Sequence, residues 1–537
     1  MSRLPDPVRA GLQRGWRVLG GPHGPLPEQV ECDVAIVGSG AGAGISAELL
    51  TKAGLRVLIV EEGPLRSSTD FHQRESEAYP QLYQESAARK TADKAITILQ
   101  GRCVGGSTTV NWTSSFRTPA PTLAHWQSAF GLADYGADAL APWFEQAERR
   151  LSIGPWLTAP NDNNELLRRG ATALGIAAPM IRRNVKACWN LGSCGMGCPT
   201  NAKQSMLVTT LPAALDGGAT LFVQTRVESL ALKGDRIESL RCVPVGPDGA
   251  PAGAPPTRVV ARHVVVAGGA INSPALLLRS KAPDPHGLLG RRTFLHPVVI
   301  SAALFDRPVE GWQGAPQTVY SDHFLETHPL TGPMGYKLEA PPIHPVIFAS
   351  TLPGYGREQS ELLAQFANTQ ALLALLRDGF HEQSPGGRVT LRDDGSPLLD
   401  YPLNDFVMDG ARRAFLSMAE IQFAAGARAV QPVHETARRY ASWPQAREAI
   451  ADLPMQPLLT RVVSAHVMGG CGMAADERRG VLRPDGTHWQ IGNLSVHDGS
   501  IFPTSIGANP QLSIYAIVNR LATQLAKRLN GRDVALA

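Results

Sequence analysis

The clearest regular pattern in the chain lies in "CDVAIVGSGAGAGISAELLTKAGLRVLIVEEG", which begins at Cys32. An unbroken apolar run at residues 34–37 predicts a buried strand. A helical period follows over Ala41–Lys52, closed by Gly54, and a second apolar run at Val57–Val60 predicts another strand. Residues 221–267 read as a meander: "LFVQTRVESLAL", a Lys-Gly-Asp turn, "RIESLRCVPV", a Pro/Gly/Ala loop and "RHVVVAGGA". The next segment, "NSPALLLRS", predicts a helix starting at Pro274 with Ser273 as its cap. Between 299 and 460 the pattern turns to irregular apolar stretches rich in Pro and His. There "GRVTLRDDGSPLLDYPLND" reads as a hairpin and "MDGARRAFLSMAEIQFAAGA" as a helix. A final helix carries Ile514, Ile517, Val518, Leu521 and Leu525 on one face, with Asn509 as its N-cap and Pro510 at its first position.

At 537 residues the chain exceeds one ordinary core, since domains run at ~150 residues each. The alternation of strand, glycine turn and helix predicts an α/β protein. Its Rossmann-type cofactor domain is discontinuous, built from 1–155, 205–298 and 461–537. A cap segment with a cysteine cluster is expected at 156–204, and an α+β substrate domain on an antiparallel sheet at 299–460, where no nucleotide-type glycine turn recurs.

With 51 basic and 47 acidic residues scattered along the chain, there is no charged block to hold nucleic acid. No apolar stretch is long enough for a membrane span, and the N-terminus lacks the apolar core of a signal peptide. Seven cysteines, an odd and sparse number, do not make a disulfide scaffold, so a reducing, cytoplasmic setting is expected. Co-export to the periplasm with a partner is the alternative.

The glycine turn after the first strand carries chemistry. Gly38 and Gly40 let the backbone bend tightly and approach a pyrophosphate, Ala43 lets helix lie on strand, and the helix N-terminus offers free N–H groups to an anion. Glu61, at the end of the second strand, is placed to hold ribose hydroxyls, which argues against a 2′-phosphate. In "QGRCVGGSTTVNWTSSFR", Gly105 and Gly106 permit a second close approach, and Ser107, Thr108 and Asn111 supply small polar groups.

Taken together, "IVGSGAGAG…IVEEGP", "GRCVGGSTTVN", "GGAINSPALLLRS", "AHVMGGCGM" and "VHDGSIFPTSIGANPQLSIYA" resemble the glucose–methanol–choline (GMC) flavoprotein oxidoreductases, in that family's order and over residues 32–520. The resemblance implies FAD and oxidation of a primary or secondary alcohol to an aldehyde or ketone by hydride transfer to flavin N5. Carried residue by residue, it makes His466 the base, Asn509 its partner at the hydroxyl, and Asp498 the group on the ribityl and phosphate side. Ser39, Ala41, Gly101, Val104, Val227, Ala267, Gly499 and Pro510 complete the expected cofactor set, to which Asn509 also belongs. Some members attach FAD through a histidine where this chain has Val110, so non-covalent FAD is expected. The implied partners are a small-molecule alcohol and an electron acceptor, whether oxygen, a quinone or a cytochrome, with an accessory electron-transfer subunit an open alternative. A flavin-scaffold lyase of the cyanohydrin type and a non-catalytic FAD subunit are the competing functions.

His466 with Cys471 offers only two metal ligands, too few for a zinc site. Imidazole titrates near neutral pH and can accept the hydroxyl proton. His296, in a His-Pro turn, and His497 read as structural. Cys188, Cys194 and Cys198 allow three readings: a metal site with a fourth ligand from elsewhere, a disulfide, or buried structural thiols, of which the last is expected.

Overall fold

The apolar run ending at Val37 lies in the middle of an eight-stranded sheet. A computed structural model describes residues 4–536. Strands Gln29–Val37 and Val57–Val60 pair in parallel, with Val34 opposite Val57, and helix Ala41–Lys52 connects them. Every residue of Val57–Val60 is buried, as a parallel strand covered on both faces requires. Thr220–Phe222 and Arg17–Leu19 extend the parallel part on one side and Thr257–Val266 on the other. The first strand starts at Gln29, ahead of its apolar run, because Gln29 to Cys32 pair with Arg258 to Ala261.

The meander consists of Thr225–Lys233, Arg236–Pro244 and the first part of Thr257–Val266, paired antiparallel. "LFVQTRVESLAL" is not one strand: it breaks at Val223 and Gln224, where Gln224 takes a φ of +47°, and Thr220–Phe222 joins the parallel strands instead. Helix Gln511–Asn530 packs on both Ala41–Lys52 and Ala137–Arg150, burying Ile517, Val518, Leu521 and Leu525.

A seven-stranded, mainly antiparallel sheet runs in the order Tyr320–Ser321, Tyr336–Glu339, Thr369–Leu376, Val298–Leu304, Val462–Ser464, Ile96–Ile98, with Ala429–Pro432 also on Val298–Leu304. It draws Ile96–Ile98 from far upstream, in parallel with Val462–Ser464. Helix Asp405–Ala424 covers one face. It begins ahead of its periodic run because Asn404 caps it, accepting the N–H of Val407. Side chains alternate across this sheet: Tyr336 and Leu338 join the core under the helix, and Lys337 and Glu339 point the other way. The expected hairpin is present as Gly387–Leu391 and Pro397–Asp400.

Candidate active site

A cavity of about 700 Å³ runs from the glycine turn to His466, within the range of cofactor pockets, roughly 300–1,000 Å³. Its phosphate-type end is built from backbone. Gly38 has a φ of +100°, and a Cβ there would lie 2.5 Å from the carbonyl oxygen of Ala267. Gly40 occupies the N-cap of Ala41–Lys52 with no side chain capping the helix, which leaves its first N–H groups free for an anion. Gly106 closes over it, and a Cβ on Gly106 would come 2.8 Å from the Cα of Gly40.

Gly38, Ser39, Gly40 and Ala41 all line this cavity, as do Glu61, Gly101, Gly106, Ser107 and Asn111. Val227 and Ala267 line it from the sheet, and Asp498, Gly499, Asn509 and Pro510 from the C-terminal segment. Ala43, Val104 and Gly105 do not reach it. Ala43 and Val104 are buried in the core, and Gly105 donates its N–H to Ser39 Oγ at 3.0 Å.

Glu61 accepts Ser39 Oγ–H at 2.5 Å and the N–H of Gly63 at 2.8 Å; burial lifts its carboxyl to about 7 against these bonds. Asp498 is held by three donors: Ser273 Oγ at 2.5 Å, and the N–H groups of Gly269 and Ser500, both at 2.8 Å. Ser273 therefore does not cap the helix after it. That helix, Asn272–Arg279, has Ile271 at its N-cap, and the hydroxyl is drawn to the buried carboxylate instead. Ser107 Oγ accepts the N–H of Gly101, and Asn111 donates to Gln511 Oε1.

His466 lies between the short strands Val462–Ser464 and Met468–Gly469. Its Nε2 is 3.5 Å from Asn509 Nδ2, and its Nδ1 is 3.3 Å from Nδ1 of His296. Burial, aided by the Lys337 ammonium, lowers its pKa to about 4. Asn509 is not a cap: Pro510 holds the N-cap position of Gln511–Asn530, one place before the helix proper. The Asn509 amide donates to Glu339 Oε2 at 3.3 Å, and its Oδ1, the atom that would cap a helix, is buried without a partner.

Four residues around His466 escaped sequence reasoning. His296, read as structural, is buried with a φ of +44° and accepts the N–H of Gly507 on Nε2 at 3.0 Å. Asp378 holds its backbone by accepting its N–H at 3.2 Å, together with that of Leu295 at 2.9 Å. Glu339 and Lys337 are also buried, and Lys337 pairs with Asp322 at 2.7 Å over the ring of Phe116. In "YKLE" the two charges alternate with apolar residues, which in sequence reads as a solvated strand face.

The structure also revises the cysteine cluster. Cys188, Cys194 and Cys198 are unpaired thiols, half-buried rather than buried. Lys203 ties their loop to the cavity wall, donating to the carbonyls of Cys194, Thr109 and Asn111 at 2.7, 2.8 and 2.6 Å. Among the described residues no group of three His, Cys, Asp or Glu is placed to hold a metal.

A backbone-built dinucleotide cradle, continuous with a half-buried imidazole between two short strands and a buried amide just ahead of the last helix, defines a cofactor-dependent oxidoreductase of the α/β class. The chain belongs to the GMC oxidoreductase family: the family's N-terminal model matches residues 79–298 and its C-terminal model residues 383–517. It is 28% identical over 505 residues to long-chain-alcohol oxidase FAO4A of Arabidopsis thaliana, covering 91% of this chain and 68% of that protein. It is 30% identical over 505 residues to an uncharacterized GMC-type oxidoreductase of Sinorhizobium fredii, covering 92% and 94%. Among solved structures it resembles pyridoxine 4-oxidase from Mesorbium loti, with a TM-score of 0.68 at 20% identity, covering 92% of this chain and 99% of that one. Formate oxidase gives a TM-score of 0.67 at 15% identity, covering 94% and 99%. The fold is thus the FAD-binding GMC fold.

Proposed function

We propose that the protein oxidises a primary or secondary alcohol to an aldehyde or ketone with non-covalent FAD, and that His466 takes the hydroxyl proton while Asn509 orients the hydroxyl. The observation that carries this reading is the approach of His466 Nε2 and the Asn509 amide to 3.5 Å at one end of the cofactor cavity. The alcohol oxidases among the similar proteins support the same chemistry.

The residues fit FAD. Gly38, Gly40 and Gly106 leave the space a pyrophosphate needs, and Ala41–Lys52 turns an uncapped N-terminus to it. Glu61 lines the wall with a carboxylate for ribose hydroxyls, and residue 110 is a buried valine with no atom able to form a covalent link. When bound, FAD supplies the acceptor for the hydride.

The chain's own part is acid–base and positional. With its pKa lowered to about 4, His466 is neutral at physiological pH and carries one lone pair for a proton. A positioned base of this kind contributes about 10²- to 10⁴-fold in rate. Asn509 can share its hydrogen bonds between the substrate oxygen and Glu339. We assign residues 1–155, 205–298 and 461–537 to the FAD domain, 156–204 to a cap and 299–460 to the substrate domain. A neutral, fairly apolar alcohol is the proposed substrate class, with oxygen the first acceptor to test because several similar proteins are oxidases.

The test is anaerobic mixing of the yellow protein with a panel of alcohols. Bleaching of the flavin by alcohols, lost in His466→Ala without loss of bound flavin, is the expected result. Bleaching at an unchanged rate in the variant removes His466 from the reaction. A wild-type flavin that no alcohol bleaches points to the lyase or to the electron-transfer subunit.

A further inference from the structure

Two hydrogen-bond chains reach His466 from opposite sides and make opposite demands on it. On one side stands the peptide N–H of Gly507, which can only donate, bound to His296 Nε2 at 3.0 Å. Neutral His296 must then carry its proton on Nδ1, 3.3 Å from Nδ1 of His466. This side asks His466 to accept on Nδ1 and keep its own proton on Nε2, where it is a donor and no base.

The other side begins at Glu339. Its Oε2 accepts Gln317 Nε2–H at 2.7 Å and Asn509 Nδ2–H at 3.3 Å. An ionised carboxylate only accepts, so it holds the amide with its NH2 group turned inward. That NH2 group is also the part of Asn509 facing His466 Nε2 at 3.5 Å. This side asks Nε2 to be the lone pair and moves the ring proton to Nδ1. The conflict leaves unpartnered atoms: Glu339 Oε1 and Asn509 Oδ1 are both buried without a hydrogen bond.

We propose that Glu339 is a positioning residue that selects, through the Asn509 amide and against His296, which ring nitrogen of His466 carries the proton. With Glu339 ionised, the amide is held by its NH2 end, His466 Nε2 is an open lone pair, and the long His296 contact is given up. With Glu339 protonated, its O–H can donate to Asn509 Oδ1. The amide then turns its oxygen to His466 Nε2–H, the demand of Gly507 is met, and the base is masked. The ring proton moves between the two nitrogens of one neutral imidazole, so the His466 charge does not change.

Several groups set where Glu339 ionises. Lys337 lies on the same strand face, paired with Asp322, and Arg183 approaches from the strand Arg183–Asn184. His466 and His296 stand beyond Asn509, and Arg377 stands behind His296. Burial outweighs Lys337 and raises the Glu339 carboxyl to about 7, so the switch falls in the physiological range.

The inference deepens the alcohol-oxidation reading and rests on it for its consequence in turnover, but its test does not need turnover. In FAD-loaded protein with ¹⁵N-labelled histidine, the ring nitrogen shifts of His466, assigned by their loss in His466→Asn, report which nitrogen is protonated. The expected result is a change from the Nε2–H to the Nδ1–H form as pH rises through about 7, abolished in Glu339→Gln. Alcohol turnover should then fall about tenfold for each pH unit below that point, as a single protonation requires. Glu339→Gln should lose this acid limb. A single His466 tautomer throughout the pH range in the wild type overturns the proposal, and so does a titration that survives in Glu339→Gln. If the tautomer titrates but no alcohol is oxidised, the switch stands and the functional reading fails. If alcohol is oxidised with a fixed tautomer, the reverse holds.

Discussion

Replacing Gly106 with alanine tests whether the two glycine turns form one cofactor cradle. Gly106 has φ +52° and ψ −144°, a region that side chains avoid, and its Cβ would press within 2.8 Å of the Gly40 Cα. The backbone term costs about 1–2 kcal/mol and the overpacking about 1–3 kcal/mol. The overpacking is relieved if the 101–111 loop shifts off the glycine turn at the expense of the Gly105 N–H bond to Ser39 Oγ. That part of the loss, about 1–3 kcal/mol, should therefore appear in FAD affinity, at about tenfold in Kd for each 1.4 kcal/mol, with the apoprotein's melting temperature little changed. Gly42→Ala is the contrast. Its Cβ would fall 1.7 Å from the carbonyl oxygen of His497, backbone against helix, with no loop to give way. That variant should lower the apoprotein's melting temperature itself. Flavin fluorescence titration and thermal unfolding of both apoproteins make the comparison. Wild-type FAD affinity in Gly106→Ala, or an apoprotein loss as large as that of Gly42→Ala, refutes the cradle.

Three other outcomes follow from buried charge and thiols. His263 and His497, with pKa lowered to about 3, and His488, lowered to about 4, are buried mainly neutral. The unfolded chain takes up their protons below its ordinary value of about 6.5, so each removes about 1.4 kcal/mol per pH unit as pH falls toward its folded value. Glu61 and Glu339, raised to about 7, act in the opposite sense between the unfolded carboxylate value and 7, since there the native state holds the proton. With His466 and His296 also held neutral, five imidazoles outweigh two carboxyls, so melting temperature should fall once pH drops below about 6.5 and fall more steeply below about 4.5, where the carboxyls no longer oppose it; a melting temperature unchanged down to about pH 4.5 contradicts the assignment. Glu48 is 1% exposed and accepts from Lys52 at 2.8 Å and Arg150 at 3.0 Å, joining two helices of the cofactor lobe. Glu48→Ala should cost about 3 kcal/mol of stability by denaturant unfolding, while FAD affinity stays unchanged. Under native alkylation, Cys198 should react first. Burial works to raise its pKa, but the bonds from Thr200 and the Lys203 N–H outweigh it, whereas burial pushes the thiols of Cys103 and Cys242 up to about 12. Peptide mapping after limited iodoacetamide treatment shows which thiol is labelled.

The division between what the sequence reveals and what it hides follows the range of the forces involved. Gly38 and Gly40, the helix Ala41–Lys52 and the strand Val57–Val60 are legible because backbone sterics and a two-sided apolar face act within a few residues. The hairpin and the long helix after Asn404 are legible for the same reason. Asn509 and Ser273 mislead because each stands where local rules place a cap, yet each meets a buried carboxylate from a distant segment, Glu339 for one and Asp498 for the other. A carboxylate taken out of water draws any donor within reach and so fixes the orientation of the side chain that carries it. Lys337 and Glu339 are hidden in the same way. Their alternation with Tyr336 and Leu338 has the period of a strand, but which face meets water depends on the layer covering it, and that layer is assembled from segments far away in the chain. His296 is hidden at a further remove. Only the Gly507 N–H and the Asp378 carboxylate, brought in from other parts of the chain, convert a His-Pro turn with φ +44° into the neighbour of His466. Backbone held in this region costs about 1–3 kcal/mol and persists where its surroundings over-determine it, so the strain at His296 marks the same group that the hydrogen-bond chain from Gly507 identifies.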